Sequence, residues 1–363
     1  RSRLVHQPAQ ATSRTRPVSS PTTPRINHTR TTLIPSAIWK GHDNRAMTHP
    51  TLESLQLPID FVGGACDLPH LSVLQAEGPD AVSFLHNQLT HDFALLQPEQ
   101  ARLCGYCSAK GRMLASFVGF KRSPEQILLI CSSDLAAATL KRLTMFVLRA
   151  KVRLTDVTAQ FTLKGWVGPA LMQAIHNPAQ TAWQHRSYEG GDLITLYPAL
   201  GQPRALWLGT PAHPGLAALP SLSLSDWLGL EVLSGIAQVQ AATADAFVPQ
   251  MLNYESVDGV SFKKGCYPGQ EVVARSQFRG AIKRRAHLFM SHEPLVAGSE
   301  LFLSHDTSQP AGIVAQSAPW SGRTVLIASV QTSALDATES VLQDSQGHRV
   351  SPIPLPYELR HDL

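Results

Sequence analysis

Residues 261–283 read SFKKGCYPGQEVVARSQFRGAIK, a short span with an unusual concentration of side-chain chemistry. Pro268 suits the first turn of a helix, where its missing amide hydrogen costs no hydrogen bond, so a short helix is expected after it. Cys266 would then precede the helix N-terminus, where the helix dipole and two neighbouring lysines favour a thiolate over a thiol. The residues favour a reactive thiol at Cys266, while a buried cysteine in a glycine-rich connector stays an open alternative.

The overall composition indicates a globular protein of two or three domains. The 363 residues are enough for that many cores, and a hydrophobic content of 43% is ordinary. No apolar run approaches the roughly 18 residues that span a bilayer, so we expect no membrane partner. Five cysteines, an odd number in a chain of this length, argue against a disulfide framework and indicate a reducing, intracellular compartment.

The first 46 residues differ from the rest of the chain. They hold eight Lys and Arg residues against one acid, so the formal net charge of +4 comes from this segment and is no argument for nucleic-acid binding. Ser, Thr, Pro and Arg dominate without apolar periodicity, which predicts a disordered basic tail over residues 1–50. Globular sequence begins near Met47, which favours a tail that is not native over an organelle transit peptide.

Hydrophobic patterns beyond residue 50 predict an α+β fold. Helices are expected at 78–89 and after residue 133, each with an apolar stripe. Further strands are expected at 103–108, 113–120, 127–131, 152–157, 161–167, 193–198 and 204–209, with helices near 169 and at 225–233. Short strands from 286 onward predict a small barrel or sandwich. We therefore divide the chain into an α+β part over 51–285 and a β-rich part over 286–363.

Cys104 and Cys107 form a Cys-x-x-Cys pair, which is a weak signal by itself. A structural zinc site needs a second pair, and the chain has none. Thioredoxin-like chemistry places the pair at a helix start, whereas these cysteines lie on a predicted strand, so we interpret them as packing residues. Walker, dinucleotide-binding, His-Glu-x-x-His and nucleophile-elbow motifs are absent, and no metal site is expected.

Two further features each have a structural and a functional interpretation. Trp227 is a core residue or a flat surface for a pteridine-like ring, and the residues alone favour the core. A basic cluster is a solvated face or a site for a carboxylate tail or phosphates. Its members are Arg275, Arg279, Lys283, Arg284 and Arg285. Because Phe278 is the only aromatic residue there, we rank contact with a small anion above contact with RNA.

Six segments carry a resemblance to a known family. They are KKGCYPGQEVVAR at 263–275, FRGAIKR at 278–284, FVPQMLNY at 247–254, FLHNQLTHD at 84–92, CSAKGRMLASF at 107–117 and PLPYEL at 354–359. Together they resemble the YgfZ family of folate-binding proteins, which are related to the aminomethyltransferase (T-protein) of the glycine cleavage system. The resemblance covers roughly residues 60–363, and its Lys-Gly-Cys-Tyr-x-Gly-Gln-Glu core is highly specific.

This resemblance implies a fold like that of T-protein, with two interleaved α+β parts, the second ferredoxin-like, and a C-terminal β-barrel around a central channel. It implies a folate-binding accessory protein, rather than a classical turnover enzyme, that maintains iron–sulfur clusters and supports tRNA modification by radical enzymes. The implied cofactor is tetrahydrofolate. The implied partners are iron–sulfur client or assembly proteins and tRNA-modifying enzymes, without direct nucleic-acid binding. We expect a bacterial, cytoplasmic protein in preference to a mitochondrial one.

The family motifs also imply roles for individual residues. Cys266 matches the motif cysteine and Asn253 the motif asparagine. Trp227 matches a tryptophan associated with folate, which reverses the core interpretation reached from the residues alone. The resemblance further implies folate contacts from Gln250, Tyr267 and Gln270, and anchoring of an anionic tail by Lys264, Arg275 and Arg279.

The chain departs from its relatives at two places. Aminomethyltransferases carry an aspartate on the strand after the glycine turn, whereas residues 113–116 read Met-Leu-Ala-Ser. A folate-dependent aminomethyl- or methyltransferase is therefore only the second hypothesis. Relatives tend to have an acid where this chain has Leu233, with Glu231 two residues earlier, which predicts weaker folate affinity. A third hypothesis is a tRNA-binding module that uses Arg284 and Arg285 and binds less tightly as salt rises.

Overall fold

The computed structural model describes residues 55, 57, 61–175, 182–210, 218–278, 282–336 and 341–360. All of them belong to one compact unit, Thr48–Leu363. The predicted tail at residues 1–50 and the candidate Arg279 lie outside the described residues. Among the described helices, none is long and apolar enough to cross a membrane.

The described part of the chain is a mixture of short strands and helices. In chain order the elements are β1 (Gly64–Asp67), β2 (Leu71–Glu77), α1 (Ala81–His86), β3 (Ala101–Cys107), β4 (Met113–Ser123), β5 (Gln126–Ser132), α2 (Ser133–Thr144), β6 (Arg153–Asp156), β7 (Thr162–Val167), α3 (Pro169–Ile175), β8 (His185–Tyr188), β9 (Gly191–Ala199), β10 (Gln202–Gly209), α4 (Leu224–Leu233), α5 (Gln270–Phe278), β11 (Arg284–Ser291), β12 (Glu300–Leu303), β13 (Gly312–Trp320), β14 (Arg323–Gln331), α6 (Ser333–Asp336), β15 (Leu342–Gln343) and β16 (Arg349–Ile353).

Two five-stranded sheets form the first part of the fold. Sheet I has the strand order β3-β4-β5-β2-β6, and sheet II has the order β1-β7-β10-β9-β8. The chain starts in sheet II with β1, builds all of sheet I, and then returns to sheet II with β7. The two α+β parts are therefore interleaved, as predicted. Helix α2 buries its apolar side, including Leu135 and Leu143, against sheet I.

Strands β11 to β16 form a closed barrel with the order β11-β14-β13-β12-β15-β16. β16 returns to pair with β11, with Ile353 opposite Leu288, and so closes the ring. The predicted α+β class with a C-terminal β-barrel is confirmed. The barrel begins at Arg284. The domain boundaries stay predictions, because α4 packs against strands of both sheet II and the barrel.

Helix α4 is held between sheet II and the barrel by two close glycine–tryptophan contacts. Its Trp227 ring lies against Gly165 of β7, where an added Cβ atom would come within 2.4 Å of the ring. On its other side, Trp320 of β13 lies equally close to Gly229 of α4. Ser223 caps the helix by accepting a hydrogen bond from the amide of Asp226 at 3.0 Å. The helix buries Trp227, Gly229, Leu230, Val232 and Leu233 in this way.

Four strands were not predicted from the sequence patterns: β1, β2, β8 and β16. β2 is buried at six of its seven positions and lies between β5 and β6. Its buried polar residues Ser72 and Gln75 interrupt the apolar residues, so the sequence lacks the continuous apolar run that indicated β5. The other three have only four or five residues, which is too short for a periodic pattern.

The segment that carries Cys266 is fixed by two glycine turns packed against each other. Gly111 lies between β3 and β4, Gly269 lies just before α5, and both have positive φ angles, +71° and +80°. A Cβ atom on Gly269 would lie 2.4 Å from the carbonyl oxygen of Ser108 and 2.6 Å from the Cα of Gly111. Only glycine both adopts a positive φ angle without strain and lacks the Cβ atom that would clash here. This contact therefore fixes where α5 begins.

We expect Gly269→Ala to lower the free energy of unfolding by roughly 2–4 kcal/mol, since it adds a backbone clash to the cost of a left-handed alanine. Gly322→Ala is the matched control, because Gly322 has a φ of +73° and open space around it. It should cost only about 1 kcal/mol. Urea denaturation followed by circular dichroism measures both, and equal losses would contradict the close contact.

Candidate functional site

A central cavity of about 60 Å³ lies between the two sheets, beside α4. Trp183, Tyr197 and Tyr254 supply aromatic walls, and Arg204 and Glu231 supply charge. The remaining lining residues are Leu71, Leu103, Ser116, Phe117, Val118, Ile130, Leu196, Leu206, Ser234, Ile236, Ala237 and Gln238. A mainly apolar cavity with a few converging polar groups is typical of a ligand site.

Arg204 is the most unusual residue of this cavity. It lies on β10 and is only 2% exposed. One Nη atom donates weakly to the carbonyl oxygen of Tyr197 at 3.4 Å, whereas Nε and the other Nη have no hydrogen-bond partner among the described residues. Burial lowers the pKa of the guanidinium to about 10, although the Glu231 carboxylate acts in the opposite direction. Such unpaired buried donors are costly unless a ligand or water accepts from them.

Glu231 places a negative charge in the same cavity. Its carboxylate accepts a hydrogen bond from Gln316 of β13 at 3.0 Å and lies 3.7 Å from His70. Burial alone would raise its pKa, but the nearby His70 imidazole, the charge of Arg204 and the hydrogen bond from Gln316 outweigh burial, so the pKa is lowered. The carboxylate therefore stays ionised. Glu231 lines the cavity, whereas Leu233 is buried elsewhere in the core.

Trp227 lies behind the cavity and does not line it. Its side chain is completely buried, and the guanidinium carbon of Arg204 lies 4.6 Å from the centre of its ring. A cation over an indole face is attracted to it, so Trp227 holds Arg204 in place from the side away from the cavity. Its burial matches the interpretation that the residues alone favoured. A direct folate contact from Trp227 stays a prediction.

Cys266 lies in a separate region, on an exposed loop ahead of α5. The helix begins at Gln270, four residues later, so the thiol lies farther from the N-terminus than the sequence pattern predicts. Beneath the loop, buried Lys264 donates hydrogen bonds to the carbonyl oxygens of His86 and Gly265. Burial lowers the pKa of Lys264 to about 8.

Three of the other predicted folate residues make contacts within the fold. Asn253 adopts a left-handed conformation, and its amide donates to the carbonyl oxygen of Ala286 at 2.8 Å. Gln250 donates to the carbonyl oxygen of Val273 at 2.8 Å. Tyr267 is buried under the ammonium of Lys264, 4.6 Å from its ring centre. None of these residues, nor Gln270, lines the central cavity, and their roles in folate binding stay predictions.

The remaining cysteines agree with a packing role. The structure describes all five, and only Cys266 is exposed. Burial raises the pKa of the Cys107 thiol to about 12 and that of Cys104 even further. A buried thiol of raised pKa is a poor nucleophile and a poor metal ligand. Among the described residues there is no cluster of three or more His, Cys, Asp or Glu side chains that could hold a metal ion.

The described members of the basic cluster do not all lie on one exposed surface. Arg285 is buried in an ion pair with Glu255, and Arg284 donates to the carbonyl oxygens of Pro310 and Ala311. Arg275 is exposed in the last turn of α5. Arg284 and Arg285, which motivated the hypothesis of a tRNA-binding module, are therefore both held by contacts within the protein.

The strand whose missing aspartate argues against the transferase hypothesis also reaches the cavity. β4 places the hydroxyl of Ser116 there, and this hydroxyl accepts a hydrogen bond from the amide of Val239 at 2.9 Å. No carboxylate projects from residues 113–116, so nothing in this strand could act on a folate amine as a general base.

Sequence comparisons find close relatives along most of the chain. It is 30% identical over 326 residues to the tRNA-modifying protein YgfZ of Sodalis glossinidius (strain morsitans), which covers 85% of this chain and 96% of the relative. It is 32% identical over 324 residues to the protein of the same name in Edwardsiella ictaluri (strain 93-146), covering 85% and 95%. No protein-family model matches the chain.

A comparison of structures finds a similar fold in the glycine cleavage system aminomethyltransferase T from Bartonella henselae. The TM-score is 0.62, with 16% identity, over 82% of this chain and 87% of that one. This similarity confirms the T-protein-like fold and, at such low identity, shows the fold alone. The sequence identity extends over almost the whole length of the curated relatives and agrees with the six motifs. The chain therefore belongs to the YgfZ family.

Proposed function

We propose that this protein binds a folate, with tetrahydrofolate as the favoured form, in its central cavity and acts as an accessory protein of iron–sulfur cluster maintenance that supports tRNA modification. The names of its relatives and its T-protein-like fold support this role. The observation that carries the folate proposal is the pair of Arg204 and Glu231. Unpaired guanidinium donors and an ionised carboxylate face one aromatic-walled cavity.

The polar groups of the cavity fit the edge of a pterin ring. The 2-amino group and N3–H of a pterin donate hydrogen bonds, which the carboxylate of Glu231 would accept. The ring carbonyl oxygen accepts hydrogen bonds, which the free Nε and Nη of Arg204 would donate. The side-chain oxygen of Gln238 lines the cavity and is also buried without a partner among the described residues. Trp183, Tyr197 and Tyr254 offer flat faces for the ring.

The size of the cavity indicates that binding requires side chains to move. Its volume of about 60 Å³ is below the roughly 300–1,000 Å³ of pockets that hold drug-sized ligands. Tyr197 lines the cavity and is only partly buried, so we propose that it forms the entrance. It contacts Tyr357 edge-on, with ring centres 6.0 Å apart, and lies 5.8 Å from Trp183. Rotation of Tyr197 would open the cavity without disturbing Arg204 or Glu231.

The iron–sulfur part of the proposal depends on Cys266. It is the only one of the five cysteines that a partner protein could reach. Thiolates bind iron and exchange sulfur, so an exposed cysteine on a fixed loop suits either task. A single thiolate cannot complete the ligand set of a cluster, so a client protein or glutathione would supply the other ligands. We place this activity in the bacterial cytoplasm and assign no turnover reaction to the protein itself.

Glu231→Gln should weaken tetrahydrofolate binding by about 10–100-fold, because it replaces a charge-assisted hydrogen bond by a neutral one while keeping the side-chain shape. Isothermal titration with tetrahydrofolate measures the effect. Glu125→Gln, at an exposed turn between β4 and β5, is the control and should bind like the unaltered protein. Equal affinity of all three proteins would exclude Glu231 from the folate site.

Trp183→Phe should abolish most of the quenching of tryptophan fluorescence by tetrahydrofolate, since Trp183 lines the cavity. Trp227→Phe should retain that quenching, because Trp227 lies behind Arg204. Titration of both variants beside the unaltered protein separates the two positions. The reverse pattern would show that the ring stacks on Trp227, as the family resemblance implies.

Cys266→Ser should reduce the activity of an iron–sulfur hydro-lyase in extracts of cells in which it replaces the unaltered protein, while tetrahydrofolate binding in vitro stays unchanged. The exposed neighbour Lys263 provides a control, Lys263→Ser, which alters the same loop and keeps the thiol. Full hydro-lyase activity in cells that carry Cys266→Ser would remove the thiol from the proposal.

A further inference from the structure

An exposed apolar segment follows the end of α2. Met145, Phe146 and Leu148 are 63%, 42% and 86% exposed, respectively. We call residues 145–148 the apolar tip. An exposed apolar patch with polar residues around it commonly marks a site of interaction.

Positive charges flank the apolar tip along the chain. Lys141, Arg149 and Lys151 are exposed, and none forms an ion pair with another described residue. Residues 141–153 contain no acid at all. The partner of the tip should therefore combine an apolar surface with acidic groups around it.

The same chain contains a groove with these complementary properties. It lies on the barrel, has a volume of about 490 Å³, and includes Leu295, Val296 and Phe302 as apolar lining. We call it the barrel groove. Val296 is 68% exposed within it. Glu293 and Glu300 are exposed at its rim and have no ion-pair partner among the described residues.

One acid of the barrel groove already has hydrogen-bond partners within its own turn. Asp344 lies 2.9 Å from the imidazole of His348 and also accepts hydrogen bonds from backbone amides of its own turn. Glu293 and Glu300 therefore carry the charge that would attract a basic partner. RNA would satisfy the cations around the tip but not its three apolar side chains, whereas the barrel groove satisfies both.

We infer that two copies of this chain associate, with the apolar tip of each copy in the barrel groove of the other. The two surfaces lie near opposite ends of one helix. The tip follows the C-terminus of α2, whose 12 residues span about 18 Å. The groove lies near the N-terminus of the same helix: Asp134 of α2 accepts a hydrogen bond from the amide of Ala241, and the next residue, Ala242, lies against Gly298 beside the groove.

Two copies related by a two-fold axis, with their α2 helices antiparallel, would therefore fill both grooves. A contact of this kind is closed and stops at the dimer, unlike a head-to-tail contact that continues into a fibre. One apolar tip in one barrel groove buries only a small surface, and the reciprocal arrangement doubles it. The inference does not depend on folate binding, because neither surface includes a residue that lines the central cavity.

The test is sedimentation velocity of the full chain over a range of concentrations. The unaltered protein should form a dimer. Arg149→Glu with Lys151→Glu reverses the charge around the tip, and Glu293→Lys with Glu300→Lys reverses the charge of the groove. Each double variant alone should dimerise at least about tenfold more weakly, because like charges then face each other in both contacts. Glu125→Lys with Glu189→Lys is the matched control at two exposed turns and should dimerise normally.

Mixing the two double variants gives the most specific result. In a mixed pair one contact has both charges reversed and the other is unaltered, so both contacts are complementary again and the dimer should return. A monomer at every concentration of the unaltered protein, a dimer that neither double variant weakens, or species that grow beyond a dimer would each overturn the inference.

Discussion

The buried guanidinium of Arg204 is the constraint on which the centre of this protein depends. A charge without water is expensive, so the surrounding fold has to hold it with an aromatic face and an opposite charge. Trp227 of α4 supplies the face and Glu231 of the same helix supplies the charge. Glu231 in turn accepts from Gln316 of the barrel, whose side-chain oxygen accepts from the amide of Gln238. One polar network thus connects sheet II, α4 and the barrel around a cavity.

This network connects stability with binding. Arg204 could be fully satisfied by a second carboxylate, yet among the described residues two of its donor atoms have no partner. Proteins commonly tolerate such unpaired buried groups at functional sites, where a ligand or water completes them. The glycine contacts on both sides of α4 leave that helix little freedom to move, so the charges stay in place before any ligand arrives.

Much of the fold was predictable because most strands and helices have a clear hydrophobic period. The stripe on α2 and the short strands of the barrel are examples. β2 was not predictable, because the polar residues Ser72 and Gln75 are buried in it and interrupt its apolar residues. The interleaving of the sheets came from the family resemblance alone, since no local pattern in β1 indicates that it pairs with β7, about a hundred residues later in the chain.

The candidate site was predictable in part. The glycines and lysines around Cys266 singled out this cysteine, and the structure leaves it exposed. Arg204 was missed because a lone arginine within the strand sequence QPRALWLG resembles a residue on a solvent-facing side. Glu231 was noticed only because it lies two residues before Leu233, the position at which relatives tend to have an acid. Which side of α4 faces the cavity depends on the packing of three separate parts of the fold, and no local pattern contains that information.

The closure of the barrel by β16 also determines when the protein can finish folding. β11, the first barrel strand, pairs on one side with β16, the last described strand, with Leu288 opposite Ile353. During synthesis, β11 leaves the ribosome long before β16 exists, so for that interval one of its edges has no partner strand. An unpaired strand edge is a template for pairing with other chains. The nascent chain is therefore most vulnerable to aggregation in this interval, and the last strand to emerge removes the hazard.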